Sequence, residues 1–197
     1  MRTTSLSAPA LAVIALVSLL GCGGGAADTT APTTPKASTP SDKAASPSLP
    51  SKPDSDKVTW KKDATFAKCH NDVQTGKDLS AGVTAMAQGC ASLMKMHQVG
   101  KTVQGSRQNL DPAQTIPLHV EANHCYRIYG LSEDSLQDLD IAVIDSAGKS
   151  AGEDGSDSPD AVVLEDGELC FTQADDVKVN VAAGNGGGKF ALEIWSD

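Results

Sequence analysis

Carboxylates are concentrated in the second half of the chain, where they could bind a hard cation. Asp138 and Asp140 lie on the same side of an alternating segment, and more acids follow soon after it. Calcium takes about six to eight oxygen ligands, many of them from carboxylates. The sequence therefore indicates a candidate calcium site with five candidate ligands: Asp138, Asp140, Asp154, Asp157 and Asp160.

The order of these acids leaves a second interpretation open. Residues 154–160 do not follow the order of an EF-hand loop, and no glutamate stands where that loop needs its bidentate ligand. A solvated acidic face without a bound ion is therefore the favoured alternative.

Motifs of the common enzyme classes are absent from the sequence. It contains no Gly-x-Ser-x-Gly, no His-Glu-x-x-His and no glycine-rich phosphate loop. A glycosidase would need aromatic side chains around its paired carboxylates, but Trp60, Tyr129 and Trp195 are far apart in the sequence. We therefore predict no catalytic residue and no cofactor other than calcium, in a protein that is not an enzyme.

Cys69 and His70 form part of the pattern of a c-type haem attachment site. That pattern needs a second cysteine where Phe66 stands, so haem attachment is not predicted. The histidines share no metal-ligand spacing, and each is predicted to be a surface or capping side chain: His70, His97, His119 and His124.

The cysteine count indicates two disulfides in an exported protein. Of five cysteines, Cys22 has a separate role described below, which leaves an even number. Three pairings are formally allowed. Cys69–Cys90 and Cys125–Cys170 are favoured because each pair then lies within one structural segment. Each bridge would contribute about 3–4 kcal/mol to a small domain.

The N-terminus has the features of a secretory signal. An apolar run from Ala8 to Leu20 follows a single early charge, Arg2. The run is well short of the roughly 20 residues that a membrane-spanning helix needs. It ends in Leu19-Leu20-Gly21-Cys22, with a small residue directly before the cysteine.

This tetrapeptide resembles the lipobox of bacterial lipoproteins. The resemblance implies that residues 1–21 are removed, that Cys22 carries a diacylglycerol and that its new amino terminus is acylated. An ordinary signal peptide cleaved elsewhere is the alternative. We expect a lipid-anchored protein of the bacterial cell envelope, with the membrane as a partner. The outer membrane is preferred because Gly23 stands where an aspartate would favour inner-membrane retention.

Charge is distributed unevenly along the chain. Residues 58–104 have a net charge of +3 and residues 105–197 a net charge of −13. An acidic region of this strength repels phosphate backbones, so nucleic acid is excluded as a partner.

Composition and periodicity divide the mature chain into three parts. Residues 22–57 are rich in Pro, Ser and Thr and are predicted to be a disordered stalk. Residues 58–104 are predicted to form a helical hairpin that Cys69–Cys90 links, because apolar residues recur at helical spacing between Asp63 and Gly100, with a break near Gly76. Residues 105–197 alternate with a period of two and are predicted to form an antiparallel β-sandwich.

The predicted strands follow this alternation. Six segments show it clearly, and a seventh, 161–164, is shorter. A glycine-rich turn is predicted between the last two of the six, which are residues 115–121, 125–129, 138–143, 169–171, 177–181 and 190–194.

Three short motifs in this region form a second resemblance. They are Cys125-Tyr126-Arg127-Ile128, then 138–145 with Gly148, then the glycine-rich segment 186–194. Together they resemble the bacterial pre-peptidase C-terminal domain over about residues 112–195. The resemblance implies a jelly-roll topology and an accessory role that can include binding matrix polymers or calcium.

Two functional hypotheses follow from the sequence. The first is a binding module for an envelope glycan, protein or small ligand, presented by the sandwich loops. The second is a structural or interaction lipoprotein without a ligand, whose basic hairpin docks on its own acidic sandwich. A calcium-stabilised accessory domain of a secreted system is a less favoured third.

Overall fold

The computed structural model describes residues 52–70 and 78–197, which belong to one compact unit spanning 46–197. The predicted signal at 1–21, the lipidation site at Cys22 and the stalk up to residue 51 lie outside the described residues. No helix within the described ranges is both long and apolar enough to cross a bilayer.

Antiparallel β-structure dominates the described residues, as the sequence predicts. They form one α-helix, α1 (Leu79–Met94), and a short 3-10 turn, Phe66–Lys68. The strands are β1 (Val58–Lys62), β2 (His97–Gln98), β3 (Val103–Gln108), β4 (Gln114–Val120), β5 (Cys125–Ser132), β6 (Leu136–Ile144), β7 (Ser150–Glu153), β8 (Asp160–Val162), β9 (Gly167–Phe171) and β10 (Asp175–Ser196).

The strands form two layers that share β10. In the first layer, β1, β9, β5, the C-terminal half of β10 and β3 lie side by side, with β2 extending the β3 edge and β8 beside β5. In the second layer, β4, the N-terminal half of β10, β6 and β7 lie side by side. We call these layers sheet A and sheet B.

The main core lies between the two sheets. Sheet A contributes side chains such as Ile128, Leu169 and Leu192, and sheet B contributes Ile141 and Val179. All of these are fully or almost fully buried. The period-two alternation of the sequence thus marks the faces that meet, and the predicted β-sandwich is confirmed.

Strand β10 differs from the prediction, because residues 177–181 and 190–194 are one strand rather than two. The glycine-rich segment between them is a bend, with register shifts against β6 at Ala183, Asn185 and Gly186. Gly186 has a φ of +79°, and a Cβ there would collide with the carbonyl oxygen of Ser135. Such bulges let one strand pass from one sheet to the other.

Helix α1 confirms the second arm of the predicted hairpin. Asp78 caps its N-terminus by accepting hydrogen bonds from the amides of Ser80 and Ala81. Lys95 ends it in the left-handed conformation. Its buried side chains recur at helical spacing, on the face that meets sheet A: Gly82, Val83, Met86, Ala87, Cys90 and Ala91.

The first arm of the hairpin is not a helix in the described residues. Residues 58–62 pair with β9 as a strand, and only Phe66–Lys68 has a helical turn, while 71–77 lie outside the description. The segment that contains Cys69 comes close to helix α1 at Gly89. A Cβ at Gly89 would lie 2.5 Å from the Cys69 carbonyl oxygen.

Residues 54–57, which the sequence places in the stalk, are also part of the folded unit. Ser55 is buried and its hydroxyl donates to Asp145 at 2.7 Å, while Lys57 pairs with Asp175 at 3.0 Å. Burial opposes ionisation of Asp175, but hydrogen bonds from Ser146 and the charge of Lys57 outweigh it and lower its pKa to about 2.

Both predicted disulfides are present. Cys69–Cys90 joins the segment after β1 to α1, and Cys125–Cys170 joins directly opposed residues of β5 and β9. The second pair lies on the outer face of sheet A, where α1 covers neighbouring side chains of β5.

A second apolar cluster fills the space between α1 and sheet A. Val83 and Met86 of the helix meet Tyr129, Leu131 and others on the outer face of the sheet. The outward-facing positions of β5 are therefore as buried as its inward-facing positions. The helical segment and the sandwich, predicted as separate domains, form one unit.

Glu193 is a buried carboxylate that links three elements at this contact. It is 1% exposed and accepts hydrogen bonds from Thr84 of α1 at 2.6 Å, from Thr102 at 2.7 Å and from the Trp195 indole at 3.0 Å. A buried charge is tolerated where its hydrogen-bonding capacity is satisfied in this way.

Replacing Glu193 with alanine should lower the free energy of unfolding by about 2–4 kcal/mol, because the buried Trp195 indole and the half-buried Thr84 and Thr102 hydroxyls lose this acceptor. Urea denaturation of the variant and the parent measures this difference. Glu193→Gln retains one acceptor oxygen and should lose less. Equal stability of the alanine variant and the parent would contradict the role given to this carboxylate.

Candidate functional site

A tryptophan lies where the two edge strands of the sandwich approach each other. Trp60 lies on β1, at one end of the strand order, and its indole N–H donates to the Ala151 carbonyl of β7, at the other end, over 2.7 Å. The indole therefore bridges sheet A and sheet B along their open side. Its half-buried ring packs against the main core.

A cavity of about 300 Å³ opens beside this indole. We call it the Trp60 pocket. Three carboxylates, one lysine and one leucine surround the aromatic ring, and the lining residues are Trp60, Lys62, Glu153, Gly155, Leu164, Glu165 and Asp166.

A tight turn after β8 holds the acidic side of the pocket in place. Leu164 adopts the left-handed conformation, with a φ of 55°, and its amide donates to the carbonyl of Glu153. The Gly167 amide closes the turn by donating to the Leu164 carbonyl at 2.8 Å. This geometry places Glu165 and Asp166 at the pocket rim.

Lys62 forms the opposite part of the rim. Its ammonium lies 3.3 Å from the Asp166 carboxylate and 5.5 Å from the centre of the Trp60 ring. Both charged side chains are 46% exposed, so solvent screens the pair and either group is free to exchange it for a ligand.

The pocket combines an apolar ring with acceptors and a donor within reach of one small ligand. The face of an indole can stack against the apolar face of a sugar ring, and carboxylates accept hydrogen bonds from hydroxyl groups. Concave sites with one aromatic surface and a few polar groups are typical of small-molecule recognition. The arrangement suits a polyhydroxylated ligand.

The sequence does not reveal this site. Trp60 stands in it as an isolated aromatic residue, and no motif connects it with the acids at 153 and 165–166. The three stretches are far apart in the chain and meet only through the closure of the sheet. The one local signal was an aromatic residue within a short strand.

The predicted calcium ligands lie on β6 and in the stretch 154–160. Asp138 and Asp140 lie on β6, and Asp157 is close enough for its charge to act on both. Burial is the larger cause that raises the pKa of Asp138 and Asp140, and repulsion from the neighbouring carboxylates is the smaller one. The crowding of these acids disfavours their ionised forms.

The other two predicted ligands are held by their own loop. Asp154 accepts hydrogen bonds from Ser156 and from the Val162 amide, and Asp160 accepts one from Ser158 at 2.9 Å. Burial of Asp154 outweighs these hydrogen bonds and raises its pKa to about 7.

In the described part of the chain, atoms that could bind a metal lie close together at two places other than the predicted calcium site. The groups of three within 4.8 Å are Cys69, His70 and Cys90, and Cys125, Glu168 and Cys170. All four of these cysteines are in disulfides. The five acidic residues form no such group within residues 52–70 and 78–197, and calcium binding stays a prediction.

His70 differs from its predicted surface position. It is 5% exposed, beside the Cys69–Cys90 bridge, and its Nε2 lies 3.7 Å from the Glu165 carboxylate. Burial, reinforced by the charge of Arg127, lowers its pKa. The remaining histidines, His97, His119 and His124, are exposed or half-exposed as predicted.

Arg127 is buried although its position in the alternation predicts an outward-facing side chain. Its guanidinium donates to the carbonyls of Gly167 and Glu165, and lies 5.3 Å from the ring centres of Phe66 and Tyr129. Burial raises the pKa of Tyr129 to about 12, although the charge of Arg127 acts in the opposite direction. These groups anchor the turn beneath the Trp60 pocket to β5.

Comparisons with known proteins return no family model and no curated protein that matches this chain.

Asp154 should make folding stability depend on pH. Its carboxyl stays neutral in the folded protein up to about pH 7 but ionises near pH 4 in the unfolded chain, so stability falls as the pH rises between these values. Asp154→Asn should remove this decline and be more stable than the parent at pH 8, by about 1 kcal/mol for a partly exposed group.

Thermal unfolding between pH 4 and pH 8 measures this effect. Asp134→Asn is the control, because Asp134 is an exposed acid of the same sandwich. Parallel pH profiles for Asp154→Asn and the parent would rule out the titration proposed for Asp154.

Proposed function

We propose that the protein is a non-enzymatic lipoprotein of the bacterial envelope, which displays its β-sandwich as a saccharide-binding module. The Trp60 pocket is the observation that carries the binding part of this proposal. The lipid anchor is supported by the sequence Leu19-Leu20-Gly21-Cys22 and by the proline-rich residues that follow it. Two disulfides suit an oxidising compartment outside the cytoplasm.

The aromatic, acidic and basic side chains of the pocket are those that a saccharide ligand requires. A sugar ring stacked on Trp60 would bring its hydroxyls to Asp166, Glu165 and Glu153, with Lys62 as a donor to the ring oxygen or an acidic substituent. A cavity of about 300 Å³ accommodates one or two sugar units rather than a long chain. The ligand is therefore the end or a short segment of an envelope glycan.

The alternative is a structural or interaction lipoprotein without a ligand. It is favoured by the packing of α1, which covers the outer face of sheet A with apolar side chains. The hairpin segment thus docks on its own sandwich, as that hypothesis requires, although mainly through apolar contact. Lys61–Glu168 and Lys62–Asp166 add ion pairs between the 58–70 segment and the acidic loop and strand.

Trp60→Ala should weaken glycan binding at least about tenfold, equivalent to about 1.4 kcal/mol, because the stacking surface is lost. Binding of the full chain to a glycan array and to isolated envelope fractions measures this. Thr59→Ala is the matched control, since Thr59 is the exposed neighbour on the same strand.

A second variant separates loss of binding from loss of folding. Glu165→Gln with Asp166→Asn changes only rim side chains and should also weaken binding, with an unchanged melting temperature. Binding that both sets of changes leave intact would contradict the Trp60 pocket as the site. Absence of saturable binding to every glycan and fraction would favour the ligand-free alternative.

Radioactive palmitate should label the parent chain, and Cys22→Ala should abolish the label, because the thiol is the point of attachment that the lipobox implies. Labelling in a bacterial host followed by gel autoradiography measures this. Cys125→Ala with Cys170→Ala is the control for loss of cysteine in general. Labelling of Cys22→Ala equal to that of the parent would contradict the lipid anchor.

A further inference from the structure

Three histidines from separate elements face one cavity at the end of the sandwich. The cavity has a volume of about 180 Å³ and is lined by His97 of β2, His119 of β4 and His124 just before β5. Glu121, which lies between His119 and His124 in the sequence, also lines it. We call this the histidine pocket. It is lined by none of the residues that form the Trp60 pocket.

Two of these imidazoles are held in the tautomer that leaves Nε2 available. The Nδ1 of His119 lies 2.8 Å from the Asp176 carboxylate, and the Nδ1 of His124 lies 2.9 Å from the Asp197 carbonyl oxygen. Both partners are acceptors only, so Nδ1 carries the proton and donates it. In the neutral ring, Nε2 then has a free lone pair.

This arrangement is characteristic of histidines that bind metals. Such a histidine usually donates its other ring N–H to a carboxylate or a backbone carbonyl, which fixes the ring and increases its basicity. His119 has the first kind of partner and His124 the second. The orienting groups are therefore in place for both rings.

Glu121 offers a carboxylate beside one free nitrogen. Its Oε2 lies 3.7 Å from the Nε2 of His124, which is too long for a hydrogen bond. Two ligands that each lie about 2.0–2.1 Å from a tetrahedral metal are about 3.3 Å apart. The Glu121 amide donates to the Tyr126 hydroxyl at 2.9 Å, which holds this residue at the mouth of the pocket.

We propose that His97, His119, His124 and Glu121 form a binding site for a divalent transition metal of the zinc class. Imidazole nitrogens with one carboxylate suit zinc, cobalt, nickel or copper rather than calcium, which prefers oxygen ligands alone. The nearby carboxylates of Asp176 and Asp197 add negative charge that attracts a cation.

The proposed ligand atoms lie apart in this structure. Within the described residues, no three of its ligand atoms lie within 4.8 Å of one another. The side chains of His119 and His124 are 65% and 41% exposed, and His97 is exposed as well. Metal binding therefore requires these exposed side chains to rotate toward one another.

Cobalt and zinc titrations of the purified, chelator-treated full chain test this site. One Co²⁺ per chain should bind with visible absorption bands of a nitrogen- and oxygen-ligated ion, and Zn²⁺ should displace it. His119→Gln and His124→Gln should each weaken Zn²⁺ binding about 100-fold, because each removes a ligand. Asp176→Asn should weaken it about 10–100-fold, because it orients His119 without touching the metal.

His70→Gln is the matched control, because His70 is the one histidine outside the pocket and should leave Zn²⁺ affinity unchanged. Nitrogen-15 spectra of the imidazoles provide a second measurement, in which Zn²⁺ should shift Nε2 of His119 and His124 and leave His70 unaffected. Binding with no fixed stoichiometry, equal affinity in His119→Gln and the parent, or an unchanged imidazole spectrum would each overturn the proposal.

Discussion

Strand β5 is buried on both of its faces, and the rest of the fold depends on how the second face is covered. Ile128 points into the core between the sheets, whereas Tyr129 and Leu131 point into the cluster beneath α1. A helix of this length is marginally stable in water by itself. Its packing on sheet A and the Cys69–Cys90 bridge therefore stabilise it, and it in turn shields the sheet.

The same contact explains why polar side chains are buried on that face. Glu193 and Arg127 would be ordinary surface residues on an uncovered sheet. Beneath the helical segment each makes several hydrogen bonds. Glu193 accepts them from Thr84, Thr102 and Trp195, and Arg127 donates them to backbone carbonyls. Burial of such groups is tolerated because their partners are arranged by the fold.

Patterns within short stretches of sequence predicted the features that depend on neighbouring residues alone. Alternation identified the faces of β4, β5, β6 and β9, and the preference for pairing cysteines within one segment predicted both disulfides. The sequence could not show that β10 is continuous, because a bulged glycine-rich bend and a turn have the same composition. Nor could it show that residues 58–62 are a strand, since their pairing with β9 joins positions more than 100 residues apart.

The Trp60 pocket and the histidine pocket could not be predicted either, because each combines residues that are distant in the sequence. The Trp60 pocket is assembled from three stretches that meet where the first and last strands of the sheet order approach each other. The histidines were judged by their spacing in the sequence, whereas the sandwich brings three of them to one end from different elements. In both cases the closure of the two sheets, rather than any motif, places the side chains.

Quenching of Trp195 fluorescence tests the helical cover most directly. Trp195 is 7% exposed in the cluster under α1, and Trp60 is the only other tryptophan in the sequence, so a Trp60→Phe background isolates its signal. We expect acrylamide to quench Trp195 poorly in the intact protein, and much more effectively once Cys69→Ala and Cys90→Ala release the segment. Quenching of the intact protein as strong as that of a free indole would contradict the covered face.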